Sequence, residues 1–93
     1  MEHCIKINEK VLEQIINKLD EQDMVTQFEI NTLDSRVGRK IVNILAERGY
    51  PHYQIVEEKC GNPEFFCAGI YNSENMSYEE AKYYLITEAR KKL

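Results

Sequence analysis

The chain contains no tryptophan, only four glycines and two prolines, and no long hydrophobic run. Glycine and proline this scarce argue against a collagen-like or low-complexity chain. No window approaches the about 18 consecutive apolar residues of a membrane-spanning helix. The opening segment, MEHCIKINEK, lacks the apolar core of a signal peptide. We therefore expect a cytoplasmic protein with no membrane contact.

Cysteine is also scarce, with only Cys4, Cys60 and Cys67 in the chain. An odd number of cysteines without a secretory leader is typical of reduced thiols in an intracellular protein. Structural zinc sites usually contain closely spaced Cys-x2–4-Cys pairs, and this sequence has none. His52 has no recognisable catalytic motif around it. We accordingly predict no metal, no cofactor and no enzymatic activity.

The 93 residues suffice for one domain with one modest core, and 43% hydrophobic and 30% charged residues are a globular balance. The net charge of -4 is unevenly distributed. Residues 34–63 contain five basic and four acidic residues, whereas residues 1–33 contain three basic and seven acidic residues. A general polyanion binder is usually basic throughout, so any contact with nucleic acid must be local.

Three helices have clear start or stop signals. Asn8 caps an apolar repeat that begins at Glu9, and Ser77 with Glu80 forms a capping box for a helix over 77–92. The segment 35–48 begins after Asp34 or Ser35 and ends at Gly49 and Pro51. Between these helices, HYQIVEE and EFFCAGIY predict a β-hairpin around Gly-Asn-Pro. Its expected inward residues are Tyr53, Ile55, Phe66, Ala68 and Ile70.

Residues 25–33 are ambiguous. Thr26 and Glu29 have the spacing of a capping box, which favours a short helix. Phe28 and Ile30 alternate with polar residues, which favours a strand. We predict the short helix and keep the strand as the alternative.

The order of helix, short helix, helix, hairpin and helix resembles the winged helix-turn-helix superfamily. The resemblance covers residues 9–71 and rests on TQFEINTL, SRVGRKIVNILAERGY and the hairpin. It implies an α+β fold of three helices and a β-hairpin wing, with residues 77–92 as an extra C-terminal helix. In the alternative fold, residues 25–33 add a third antiparallel strand, and the helices pack on one face of the sheet in an α/β sandwich.

In this family the third helix enters the major groove and the wing contacts phosphate. The resemblance therefore implies a small DNA-binding protein, a transcriptional regulator that contacts duplex DNA with helix 35–48. The implied DNA-binding residues are Ser35, Arg36, Arg39, Lys40, Asn43, Lys59 and Asn62. The C-terminal helix is a common dimerisation element of the family, which implies a homodimer through Tyr78, Ala81, Leu85 and Ala89.

The alternative function is an acidic module that binds a protein partner. The acidic surface and the tyrosines favour it, and the Lys-, Asn-, Glu- and Ile-rich composition is typical of a low-GC bacterium or its phage. A phage-type inhibitor similar in style to anti-CRISPR proteins belongs to this class. Carboxylates in the wing, at Glu57, Glu58 and Glu64, also speak against phosphate binding.

Overall fold

The computed structural model of the chain describes residues 7–59 and 66–92. These residues form α1 (Glu9–Gln22), β1 (Met24–Thr26), α2 (Ser35–Glu47), β2 (Tyr53–Lys59), β3 (Phe66–Asn72) and α3 (Tyr78–Lys92). The three strands make one antiparallel sheet in the order β1–β3–β2. The predicted α+β class is therefore confirmed.

Helix α1 follows its sequence signals. The side chain of Asn8 accepts a hydrogen bond from the backbone N–H of Lys10 at 2.8 Å and so satisfies one of the unpaired donors of the first turn. Leu12, Ile15 and Leu19 lie one helical turn apart and are all buried.

Residues 24–33 do not form the predicted second helix. Met24, Val25 and Thr26 are buried and pair with Tyr71, Ile70 and Gly69 of β3 as strand β1. The capping-box contact does form, because the Thr26 N–H donates to Glu29 Oε1 at 3.1 Å. It opens a turn over residues 27–32 instead of a helix. The prediction of a helix was wrong because strand pairing with β3 outweighs this local signal. The alternative was right that the sheet has three strands, but its third strand covers Met24–Thr26 and not residues 25–33.

Helix α2 is capped by Asp34, whose side chain accepts from the Val37 N–H at 2.9 Å. Ile41 and Leu45 face the core. Gly38 is buried where the helix crosses β2, and a Cβ added to it would lie 3.0 Å from Cδ1 of Ile55. Glycine at this position therefore allows a close approach of α2 to the sheet.

The hairpin of β2 and β3 is confirmed, with a register that runs from Tyr53 opposite Asn72 to Lys59 opposite Phe66. Both faces of the sheet are covered. Helices α1 and α2 pack on the face that carries Tyr53 and Ile70, and α3 packs on the opposite face against Val56, Cys67 and Tyr71. The alternative fold placed all helices on one face of the sheet, and in this respect it was wrong. Phe66 is another correction, since it is 52% exposed and not in the core.

Helix α3 begins with the predicted capping box. The Ser77 N–H donates to Glu80 Oε1 at 2.9 Å, and the Glu80 N–H donates to Ser77 Oγ at 3.1 Å. Ala81, Leu85 and Ala89 are buried against the chain's own sheet. Three residues of the predicted dimer surface are therefore covered within one chain, whereas the fourth, Tyr78, is 43% exposed. No helix among the described residues has the length and apolar character needed to cross a bilayer.

Candidate nucleic-acid interface

The outer face of α2 presents the predicted basic residues to solvent. Arg36, Arg39, Lys40 and Asn43 are exposed, and Ser35 is half-buried at the first helical position. The buried side chain of Leu33 and the cap at Asp34 fix where the helix begins. Residues three and four apart on a helix are neighbours, so Arg36, Arg39 and Lys40 share one face.

The hairpin continues this surface. Gly38 packs on Ile55 and Arg39 contacts Glu57, so the first turns of α2 lie beside the end of β2 that leads into the hairpin loop. Alternate residues of a strand share a face, and Lys59 therefore lies on the same side of the sheet as Ile55 and Glu57. Lys59 is paired with Phe66 across the hairpin, with its Nζ 5.7 Å from the centroid of the Phe66 ring.

We define the basic surface as Arg36, Arg39, Lys40 and Lys59. Among the described residues, Asp34 and Glu57 are the acidic residues directly beside it, so these six residues together carry a net charge of +2 in a chain whose net charge is -4. Helix α3 covers none of these residues, because it lies on the opposite face of the sheet. The structure thus concentrates positive charge at one end of an acidic molecule.

One member of the basic surface already has an acidic partner. Nη2 of Arg39 donates to both carboxylate oxygens of Glu57, at 2.7 and 2.9 Å. The Arg39 side chain remains 59% exposed and that of Glu57 is 25% exposed. Within residues 7–59 and 66–92, Arg36 and Lys40 make no ion pair.

The adjacent carboxylate, Glu58, points the other way. It lies 3.8 Å from Nζ of Lys82 and accepts a hydrogen bond from the Tyr78 hydroxyl at 3.5 Å, both on α3. Burial and the charge of Glu58 raise the pKa of Tyr78. Of the three wing carboxylates, Glu58 is therefore remote from the basic surface, Glu57 lies within it, and Glu64 lies outside the described residues.

Of the seven predicted DNA-binding residues, six lie in the described part of the chain and one does not. Lys59 joins the α2 residues as expected, and Asn43 lies further along the same helix. Asn62 lies outside the described residues. Neither the exposure of Phe66 nor the pairing of Glu57 with Arg39 was predicted from the sequence. The alternation of Ile55, Glu57 and Lys59 on one strand face was the available signal for Glu57.

Cys67 is buried and disulfide-bonded, and the other two cysteines lie outside the described residues. The expectation of a free thiol was wrong at this position. No group of three or more metal-binding side chains occurs in the part of the chain that the structure describes.

Two further surface features lie away from the basic surface. A cleft of about 380 Å³ separates the C-terminal ends of α1 and α2, lined by Ile16, Leu19, Asp20, Leu45, Arg48, Tyr50 and Tyr53. Burial and the nearby carboxylates of Asp20 and Asp23 raise the pKa of Tyr53 in its wall. The outer face of α3 carries Tyr83, which is 73% exposed, beside Glu79 and Glu80.

Comparison of the chain with protein-family models, with curated proteins and with solved structures gave no significant match.

Proposed function

We propose that this chain is a small DNA-binding protein of winged-helix type, a transcriptional regulator that contacts duplex DNA through α2 and the β2–β3 hairpin. The proposal treats α2 as the helix that enters the major groove and the hairpin as the wing. The turn at residues 27–32 replaces the second helix that the family would have, so the chain would be a reduced form of that fold.

The observation that carries the proposal is the joint position of the helix and the hairpin. Arg36, Arg39 and Lys40 are exposed on α2. Arg39 contacts Glu57, and Lys59 is the next residue on the same strand face, although the two segments are separated in sequence. A duplex presents phosphates on both sides of the major groove, so a helix flanked by a basic arm matches it. Helix α2 has 13 residues, or about 20 Å, and the groove is about 12 Å wide, so its first turns can enter.

The acidic remainder of the chain limits the affinity. Each phosphate neutralised by Lys or Arg contributes about -0.9 to the slope of log K against log salt concentration. Arg39 is already neutralised by Glu57, which leaves Arg36, Lys40 and Lys59. We expect a slope of roughly -3, and binding that is weak at physiological salt.

The test is fluorescence anisotropy with a random-sequence duplex pool over a range of salt concentrations. The variant Arg36→Gln plus Lys40→Gln should reduce the magnitude of the slope by about 2 and weaken binding roughly 50-fold at 0.1 M salt. The matched control is Arg90→Gln plus Lys91→Gln, which removes the same charges from α3 on the opposite face of the sheet.

If the wild type binds no duplex in low salt, the proposal is wrong. It is equally wrong if the α3 control weakens binding as much as the α2 variant does, because binding would then reflect overall charge alone.

A second candidate, the protein-interaction module, is favoured by the outer face of α3. Tyr83 is the most exposed of the large hydrophobic residues identified, and it borders a shallow depression of about 500 Å³ with Met76, Glu79, Glu80, Tyr84, Thr87, Glu88 and Lys91. Exposed tyrosine is enriched at protein interfaces. A partner captured by the immobilised chain should be lost with Tyr83→Ala and retained with Arg36→Gln plus Lys40→Gln. The reverse pattern would exclude this face.

A further inference from the structure

The three bases on α2 differ in their surroundings. Arg39 makes two short contacts with Glu57, at 2.7 and 2.9 Å, whereas Arg36 and Lys40 form no ion pair within the described residues. An unpaired long side chain samples many rotamers, and an ion pair with two contacts restricts them. The Arg39 side chain therefore has a defined orientation, whereas the side chains of Arg36 and Lys40 on the same helix face do not.

Glu57 holds Arg39 in this orientation from a fixed position in the sheet. It lies within β2, opposite Ala68 of β3, on the sheet face beneath α2. Its side chain is 25% exposed, compared with 59% for Arg39. The carboxylate is thus held by the sheet while the guanidinium extends into solvent.

The contact uses only part of the guanidinium. Both hydrogen bonds to Glu57 come from Nη2, which leaves Nε and Nη1 with three further N–H donors. Each parallel pair of donors in a guanidinium includes Nη2, so with Nη2 on Glu57 the remaining groups offer one directed N–H. This N–H can donate to N7 or O6 of guanine, the base with two adjacent acceptors in the major groove. Orienting the side chain before binding lowers the entropy lost when that contact forms.

The same pair is poorly suited to holding phosphate. Its net charge is zero, so it releases no counterion on binding, and the carboxylate repels a phosphate oxygen. Arg36 and Lys40 make no ion pair within the described part of the chain, so their charges are better suited to phosphate.

We infer that Arg39 and Glu57 form a base-recognition pair that selects guanine in the major groove, while Arg36 and Lys40 contact the phosphate backbone. This inference rests on the proposed function and assigns separate roles to residues of the same helix. Glu57 acts as a positioning residue, since it orients Arg39 and does not itself contact the base.

The pair permits a variant that keeps the charge constant. Arg39→Gln plus Glu57→Gln removes one positive and one negative group, so the net charge stays at that of the wild type. Preferred duplexes are first selected from a random pool with the wild type. Their guanines are then replaced one at a time by 7-deazaguanine, which keeps base pairing and removes the N7 acceptor.

At one position the replacement should weaken wild-type binding about tenfold, the effect of losing one hydrogen bond from a charged donor. The charge-conserving variant should show less than a twofold effect at that position. Its affinity for random duplex and its salt slope should equal those of the wild type. Arg36→Gln plus Lys40→Gln should weaken binding to all sequences alike and keep the guanine preference.

Glu57→Gln alone provides a second readout. It removes the anchor and one negative charge, so affinity for random duplex should rise while the guanine preference falls. A rise in affinity is not an effect that misfolding produces.

Three results decide the question. Selected sequences without a position that depends on guanine N7 would overturn the inference and leave the proposed function intact. A 7-deazaguanine effect that is equal in the wild type and the charge-conserving variant would also overturn it. Absence of all duplex binding by the wild type would refute the proposed function and this inference together.

Discussion

Replacing Gly38 by alanine tests how closely α2 lies on the sheet. In a helix interior, alanine is favoured over glycine by about 1 kcal/mol. The added Cβ would lie 3.0 Å from Cδ1 of Ile55, well inside the 3.5–4.0 Å or so at which carbon atoms attract best. Overpacking of this kind costs about 1–3 kcal/mol. We therefore expect Gly38→Ala to lower the free energy of unfolding by about 0.5–1 kcal/mol despite the better helix propensity.

Shortening Ile55 separates the gain in helix propensity from the cost of the steric contact. Ile55→Val removes Cδ1, and the next nearest atoms, Cγ1 of residue 55 and Cδ1 of Leu33, would be 3.7 Å from the new Cβ, an ordinary contact. In this background Gly38→Ala should raise the free energy of unfolding by about 1 kcal/mol. Ile55→Val alone should cost about 0.5–1 kcal/mol, since its side chain is half-buried. The coupling between the two substitutions is then about 1.5–2 kcal/mol.

Urea unfolding followed by circular dichroism at 222 nm, without reductant, gives all four values of the cycle. Asn43→Ala is the control for helix propensity, because Asn43 is exposed on the same helix and should gain roughly 0.5 kcal/mol. Substitutions that add within about 0.3–0.5 kcal/mol would refute a steric contact between Gly38 and Ile55.

Three further predictions concern the stability of the fold. Asp34→Ala should cost about 1 kcal/mol, because it removes the cap of α2, and Asp34→Asn should restore most of it in the same unfolding assay. Leu85→Ala should cost about 2–5 kcal/mol at every protein concentration; a midpoint that depends on concentration would show that α3 packs on a second copy instead. The pKa of Tyr53 is raised from 10.0, chiefly by burial and then by Asp20 and Asp23. Above pH 10.0 the folded state therefore keeps a proton that the unfolded state loses. The free energy of unfolding should consequently fall as the pH rises above 10.0. Tyr53→Phe should reduce that fall, with Tyr83→Phe as the control, and an unchanged pH profile would contradict the assignment.

The helices and the hairpin were predictable because their signals are local. Asn8, Asp34 and the Ser77–Glu80 box each act within one turn of the residue that they cap. Strand β1 was not predictable in the same way, because its three residues owe their conformation to β3, far along the chain. Thr26 and Glu29 make the same contact in a turn as in a helix, so that signal cannot distinguish the two.

The surface on which α3 packs could not be predicted from the sequence, for a different reason. Ala81, Leu85 and Ala89 form an apolar stripe that can be buried equally well by the chain's own sheet or by a second copy. The apolar residues on the sheet face that α3 covers, which include Met24, Val56, Cys67 and Tyr71, distinguish these cases. The expected inward residues of the hairpin all lay on the other face.

Helical spacing predicted that Arg36, Arg39 and Lys40 would be exposed. It could not predict that Glu57 is the partner of Arg39. Their contact depends on the register between α2 and β2, which the approach of Gly38 to Ile55 sets. The residue after Gly38 is Arg39, and the next residue on the same strand face after Ile55 is Glu57. The packing of α2 on the sheet and the proposed base recognition therefore both depend on the glycine at position 38. A substitution there that moves α2 away from the sheet also separates Arg39 from Glu57. If the pair orients Arg39 for a base, Gly38→Ala should reduce the guanine preference while leaving the salt dependence unchanged, and restoring the space with Ile55→Val should recover it.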